Sequence, residues 1–128
     1  MRVKVGAVHT HDFEVEDRHT ADALGNPGVF VLGTPYVLLF MELTSQYLLQ
    51  RELGEATVSV GISANFRHMA ATPRGDVVRV TTEVTEVDRR RFGFRVFAED
   101  SVRRIAEGDH ERFLIDDLDA FLAKTAAR

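Results

Sequence analysis

The spacing of hydrophobic and polar positions divides the chain into segments of different period. In VHTHDFEVE (8–16), Val8, Thr10, Asp12 and Glu14 fall out of phase with His9, His11, Phe13 and Val15, as in a half-buried strand. EDRHTADALGNPGVF (16–30) mixes turn formers with room for one helical turn. Its Asn26-Pro27-Gly28 marks a loop, and this stretch is expected to be the least ordered. Thr34-Pro35 then favours a helix start: a threonine hydroxyl caps free backbone donors, and proline's missing N–H costs nothing at the first helical position. The helix is predicted to run to Leu53, with Gly54 stopping it. Its first half, 36–43, is apolar except at Glu42, whereas its second half shows Thr44, Ser45, Gln46, Gln50, Arg51 and Glu52. Such a first half has to be buried all round.

Beyond Gly54 the period becomes two. Residues 56–69, 75–88, 90–100 and 102–116 read as four strands rich in valine, threonine and phenylalanine. Short turns join them, which makes an antiparallel meander the default. DDLDAFLAK (116–124) reads as a terminal helix or a polar tail. No repeat, low-complexity tract or linker divides the chain, so one domain over 1–128 is expected. A buried helix with four or five antiparallel strands predicts an α+β fold in which the sheet curls around the helix. One sheet cannot cover that helix completely, and its edge strands invite a second copy, so a dimer is expected.

Composition narrows the functions. At 128 residues, 45% apolar and 28% charged, the chain can bury a core without disulfides or metal. The absence of cysteine removes disulfides, thiolate metal sites and cysteine nucleophiles. The N-terminus alternates polar and apolar residues and lacks a signal peptide's apolar core. No apolar run approaches the roughly 18 residues of a membrane span. A cytoplasmic protein is expected. A net charge of -4 argues against nucleic acid as the main partner.

Glu42 is the residue that asks for an explanation, because a carboxylate among apolar neighbours needs a counterpart. In TVSVGISANFRHM (57–69), Val58, Val60, Ile62, Ala64, Phe66 and His68 share one phase, so His68 points where the apolar residues point. Glu42 and His68 can stabilise each other's charge. Alternatively His68 bonds a backbone carbonyl, and Glu42 pairs with an arginine of a second copy. Thr34 lies eight residues before Glu42, about 12 Å along a helix axis, leaving space for a substrate or second subunit. Its role is a plain cap or, with nearby N–H groups, a cradle for an anionic oxygen. Gly61 marks a strand bulge or a close approach of a ligand to the backbone. Arg112 is an edge-strand charge or a ligand-facing cation. The arginine run at 89–91 reads as a solvated hairpin turn. His9, His11 and His19 have no metal-ligand partners at useful spacing and receive no role.

GTPYVLLFMELT, GISANFRHMAATPRGDVVRVTTEV and GDHERFLID together resemble the hotdog-fold thioesterases, in particular the fluoroacetyl-CoA thioesterase subgroup. HMAATPRG and HER are the most specific pieces, and the spacing from Thr34 to Arg112 needs no gaps. The resemblance implies a long helix wrapped by an antiparallel sheet, and a homodimer, or a higher oligomer, with acyl-CoA sites at the subunit interface. It implies a catalytic set of Thr34, Glu42 and His68, with Gly61 beside the acyl group and Arg112 associated with the site. It implies neither metal nor redox cofactor. The fluoroacetyl-specific member carries a longer, phenylalanine-rich segment before the helix, where this chain has only ALGNPGVF, which implies a broader or different short acyl-CoA. Hydrolysis of a short-chain acyl-CoA is the expected activity. An acyl-CoA hydratase or dehydratase on the same fold, and a non-catalytic acyl-CoA binder, are the alternatives.

Overall fold

The computed structural model describes residues 3–128, so Met1 and Arg2 of the N-terminal segment lie outside it. Strand β1 (Val8–Glu14) is followed by two 3₁₀ turns, Asp17–His19 and Asp22–Leu24, and by helix α1 (Thr34–Leu53). Strands β2 (Val58–His68), β3 (Val77–Asp88), β4 (Arg91–Glu99) and β5 (Arg104–Ile115) come next, and helix α2 (Leu118–Ala126) ends the chain. Gly54 closes α1 at φ 114°, a conformation that suits glycine, and its N–H donates to Gln50 C=O.

Among the described residues the five strands form one antiparallel sheet in the order β1-β3-β4-β5-β2. Only β3-β4-β5 is a meander. β2 pairs with β5 instead of β3, with Val58 opposite Ile115 and His68 opposite Ala106. The expected simple meander is thereby corrected: residues 69–76 carry the chain past the ends of β5 and β4 to reach β3. A period-two pattern reports which way side chains point and says nothing about which strand lies alongside.

Helix α1 buries Val37, Phe40, Met41, Thr44, Ser45, Leu48 and Leu49 in a core shared with Val78, Val80, Val84, Phe92, Phe94 and Val96 of the sheet. Each large apolar side chain removed from water contributes about 1.5–3 kcal/mol. The two buried hydroxyls are satisfied: Thr44 Oγ1 donates to Phe40 C=O at 2.7 Å, and Ser45 Oγ lies 3.0 Å from Met41 C=O and 2.9 Å from Thr82 Oγ1. Phe13 stacks on Phe40 at 4.3 Å and brings β1 onto the helix.

The first half of α1 is not buried on every side. Leu39 is 39% exposed, and on edge strand β2 Ile62 is 50% exposed. The other edge strand, β1, presents Thr10, Asp12 and Glu14, with Asp12 paired to Arg79. The segment expected to be least ordered is tied down. His19 and Thr20 are buried, Ala21 N–H donates to Val31 C=O, Leu32 N–H to Thr72 C=O and Gly33 N–H to His19 C=O. No helix among the described residues is long and apolar enough to cross a membrane.

Candidate active site

The candidate residues fall into two clusters within the chain. At the start of α1, Gly33 is the N-cap, and Thr34, the first helical residue, makes no capping bond with its side chain. The expected cap role of Thr34 is thus corrected: its hydroxyl lies 2.8 Å from His68 Nδ1 at the end of β2. His68 Nε2 is buried and has no hydrogen-bond partner among the described residues. Burial holds the His68 imidazole below its ordinary pKa, with the Ala70 backbone acting in the opposite direction, so the ring favours its neutral form. Whichever way the bond to Thr34 runs, Nε2 is the nitrogen left for chemistry.

The second cluster forms around Gly61. The β2–β5 register slips between Gly61 and Ser63, so a bulge is present and changes the phase of the strand. Gly61 lies opposite Arg112, while Ala64 and His68 lie opposite His110 and Ala106. The single phase expected from Val58 to His68 is therefore broken at the bulge, and Val58 and Val60 belong to the opposite face from Ala64, Phe66 and His68. Gly61 is also a close approach, since a Cβ there would collide with Glu42 Oε2 and lie 3.3 Å from His110 Cε1 and 3.4 Å from Arg112 Nη1.

Arg112 is 7% exposed and points inward. Its Nη1 donates to Glu42 Oε2 at 3.1 Å and to His110 Nε2 at 3.2 Å; its Nε donates to Ser59 Oγ at 2.8 Å and its Nη2 to Ser59 C=O at 3.1 Å. Ser59 Oγ in turn donates to Gln46 Oε1. The counter-charge of Glu42 is Arg112 of the same chain, and no ion pair joins Glu42 to His68 within the chain among the described residues. Glu42 Oε2 is tied, Oε1 has no protein partner among the described residues, and the side chain is 35% exposed. A carboxylate with one oxygen anchored and one free is arranged to attack, or to take a proton from water.

Residues 15–117 match the family model described as fluoroacetyl-CoA-specific thioesterase. The chain belongs to the fluoroacetyl-CoA-specific thioesterase family. The family match covers both clusters and ends before α2. A fluoroacetyl-CoA thioesterase from Streptantibioticus cattleyicolor is 35% identical over 130 residues, spanning 95% of this chain and 91% of that protein. A crystal structure of a variant of the fluoroacetyl-CoA-specific thioesterase FlK superposes with a TM-score of 0.91 at 33% identity, covering 99% of this chain and 98% of that one. Another FlK variant, solved with acetyl-CoA, gives 0.87 at 33% identity over 98% of each chain. A Thermus thermophilus member of the thioesterase superfamily, at 23% identity, shares the fold, with a TM-score of 0.86 over 99% of this chain and 96% of that one. The structure is accordingly α+β, a hotdog fold.

Three residues of the Arg112 cluster escape the period-based pattern: Ser59, Gln46 and His110. His110 stands two residues before Arg112 on β5 and shares its inward phase, a spacing that signals it. Ser59 carried no such signal, because the bulge reverses the face it occupies. Elsewhere, Arg89 and Arg90 are exposed in the β3–β4 turn, and Arg91 pairs with Glu86 at 2.8 Å.

Proposed function

We propose that this protein is an acyl-CoA thioesterase that hydrolyses a short-chain acyl-CoA to the free acid and CoA, acting as a cytoplasmic homodimer of one domain per chain, residues 1–128. The observation that carries the proposal is Glu42, anchored through Oε2 to Arg112 and seated against the Gly61 backbone with Oε1 free. Membership of the family supplies the thioester as substrate class. Glu42 attacks the thioester carbonyl to give a mixed anhydride, or activates the water that attacks it; the C–S bond breaks, and the CoA thiolate takes up a proton delivered by way of His68 Nε2. On the first route a water then cleaves the anhydride, which frees the acid and restores the Glu42 carboxylate. Thr34 orients the imidazole, and its own N–H receives the carbonyl oxygen, since Pro35 has no N–H and those of Tyr36 and Val37 donate to Gly33 C=O.

Two copies bring the clusters together. Gly61 and His68 lie opposite Arg112 and Ala106, six steps apart along β5, about 20 Å at the rise of an extended chain, which separates Glu42 from His68 within one protomer. β2 has an unpaired edge, exposed from 61 to 65. Antiparallel pairing of two such edges about a two-fold axis between residues 63 and 65 sets Gly61 opposite positions 65–69 of the second copy. Glu42, Arg112 and Gly61 then face Thr34 and His68 of the partner subunit across one acyl-CoA site.

Purified protein with acetyl-CoA and other short acyl-CoAs, read by thiol release, tests the proposal. Glu42→Gln and His68→Ala should each lose at least about 100-fold in kcat, and parental rates in either variant would overturn the assignment. Conversion of an enoyl-CoA without thiol release would select the hydratase alternative, and stabilisation by CoA esters without turnover would select a binder. Labelled oxygen entering Glu42 in a single turnover identifies direct attack.

A further inference from the structure

His110 is 5% exposed and both ring nitrogens are engaged. Nδ1 lies 2.7 Å from Ser63 C=O, and Nε2 lies 3.2 Å from Arg112 Nη1. A carbonyl only accepts, so Nδ1 carries the proton; a guanidinium only donates, so Nε2 offers its lone pair. The two neighbours fix one neutral tautomer. The ring also packs 6.0 Å from Phe94, centroid to centroid, and its Cε1 borders the space above Gly61.

These contacts join two structures that the site depends on. Ser63 stands just past the β2 bulge, and Arg112 holds Glu42. We propose that His110 is a positioning residue, a neutral Nδ1–H ring that clamps the bulge carbonyl of Ser63 to the guanidinium of Arg112 and thereby fixes Glu42 against Gly61. The role in turnover rests on the thioesterase reading; the clamp itself does not.

A second proton on His110 would turn Nε2 into a donor aimed at Arg112 Nη1, where two N–H groups cannot share a bond. The surroundings oppose that proton: burial lowers the His110 pKa most, the Ser63 carbonyl raises it, and the Arg112 charge lowers it. Glu42 from α1 and Glu111 from its own strand favour the charged ring, while β4 contributes the neutral Phe94. Protonation would release Arg112 from one of its anchors, so turnover should fall with it.

The test combines ring ¹⁵N spectroscopy of the parent with two variants. The spectrum should show His110 as the Nδ1–H tautomer at pH 7.5; an Nε2–H or doubly protonated ring overturns the clamp whatever the enzyme's activity. His110→Phe keeps the ring packing and removes both bonds, whereas His110→Gln can donate to Ser63 and accept from Arg112. With acetyl-CoA and thiol release, His110→Phe should lose about 10–100-fold in kcat with KM within about threefold, as expected for a misplaced reacting group. His110→Gln should return to within about threefold of the parent. Parental kcat in a folded His110→Phe, or equal losses in both variants, would overturn the positioning role. If His110→Phe does not fold, the parent's tautomer and His110→Gln decide. A parent that releases no thiol from any acyl-CoA refutes the thioesterase reading and leaves the spectrum to judge the clamp.

Discussion

Replacing Gly61 by alanine perturbs the site with one methyl group and little else. The backbone of Gly61 is not among the positive-φ glycines, so alanine adopts it without strain. The added Cβ would come within 3.0 Å of Glu42 Oε2, closer than such atoms are found, while its distances to His110 Cε1 and Arg112 Nη1, 3.3 and 3.4 Å, need only small adjustments. Glu42 must yield, since its carboxylate is the end of a flexible side chain and the other neighbours are fixed. Its retreat of roughly 1 Å is a displacement of the size that costs a reacting group about 10²-fold in rate. In free energy that is about 2.7 kcal/mol of transition-state stabilisation. Stability should move far less, by under about 1 kcal/mol, because a rotamer change in a 35%-exposed side chain absorbs the clash. The assays are kcat and KM for acetyl-CoA by thiol release, alongside thermal melting of the same preparations. A Gly61→Ala protein with parental kcat would refute the reasoning, as would one whose lost activity is matched by an equally large loss of stability.

Arg112→Met removes the counter-charge of Glu42 and strands Ser59 and His110; denaturant unfolding should show a loss of about 2–4 kcal/mol, below the fully buried case because Glu42 keeps contact with water. Stability should also fall in acid. His9, His19, His68 and His110 are each held below the ordinary histidine value of 6.5, chiefly by burial. Below pH 6.5 the unfolded chain therefore binds more protons than the folded one; the stabilisation is complete above 6.5 and is lost as pH falls towards the folded values. Melting temperatures at pH 7.5 and 5.5 check this, and an unchanged or higher value at 5.5 refutes it. Ile62→Glu on the exposed β2 edge should shift sedimentation from dimer to monomer and abolish turnover, and an active monomer would refute the shared site.

The sequence placed α1 to within one residue at its start, where Gly33 and not Thr34 is the cap, and at Leu53 at its end, because Thr34-Pro35 and Gly54 are strong local signals. The strands were equally plain, since alternation is local. Their order was not, because β2 joins β5 through contacts some fifty residues apart. The phase of β2 was misread for a related reason: a bulge adds one residue, and Gly61 has no side chain to show the change. Glu42 was recognisable as a charge in need of a partner. Its partner was hidden, because β5 arrives beside Gly61 only through the tertiary arrangement.

The position of β5 as the last strand sets an order of events during synthesis. Glu42 and Gly61 emerge from the ribosome well before Arg112, and β2 has no strand partner within the chain among the described residues until residues 104–115 have followed. Chains halted upstream of β5 contain Glu42, Thr34 and His68 but not the cation that seats the carboxylate. Docking of the final strand therefore both completes the sheet beside β2 and supplies the cation that pairs with Glu42.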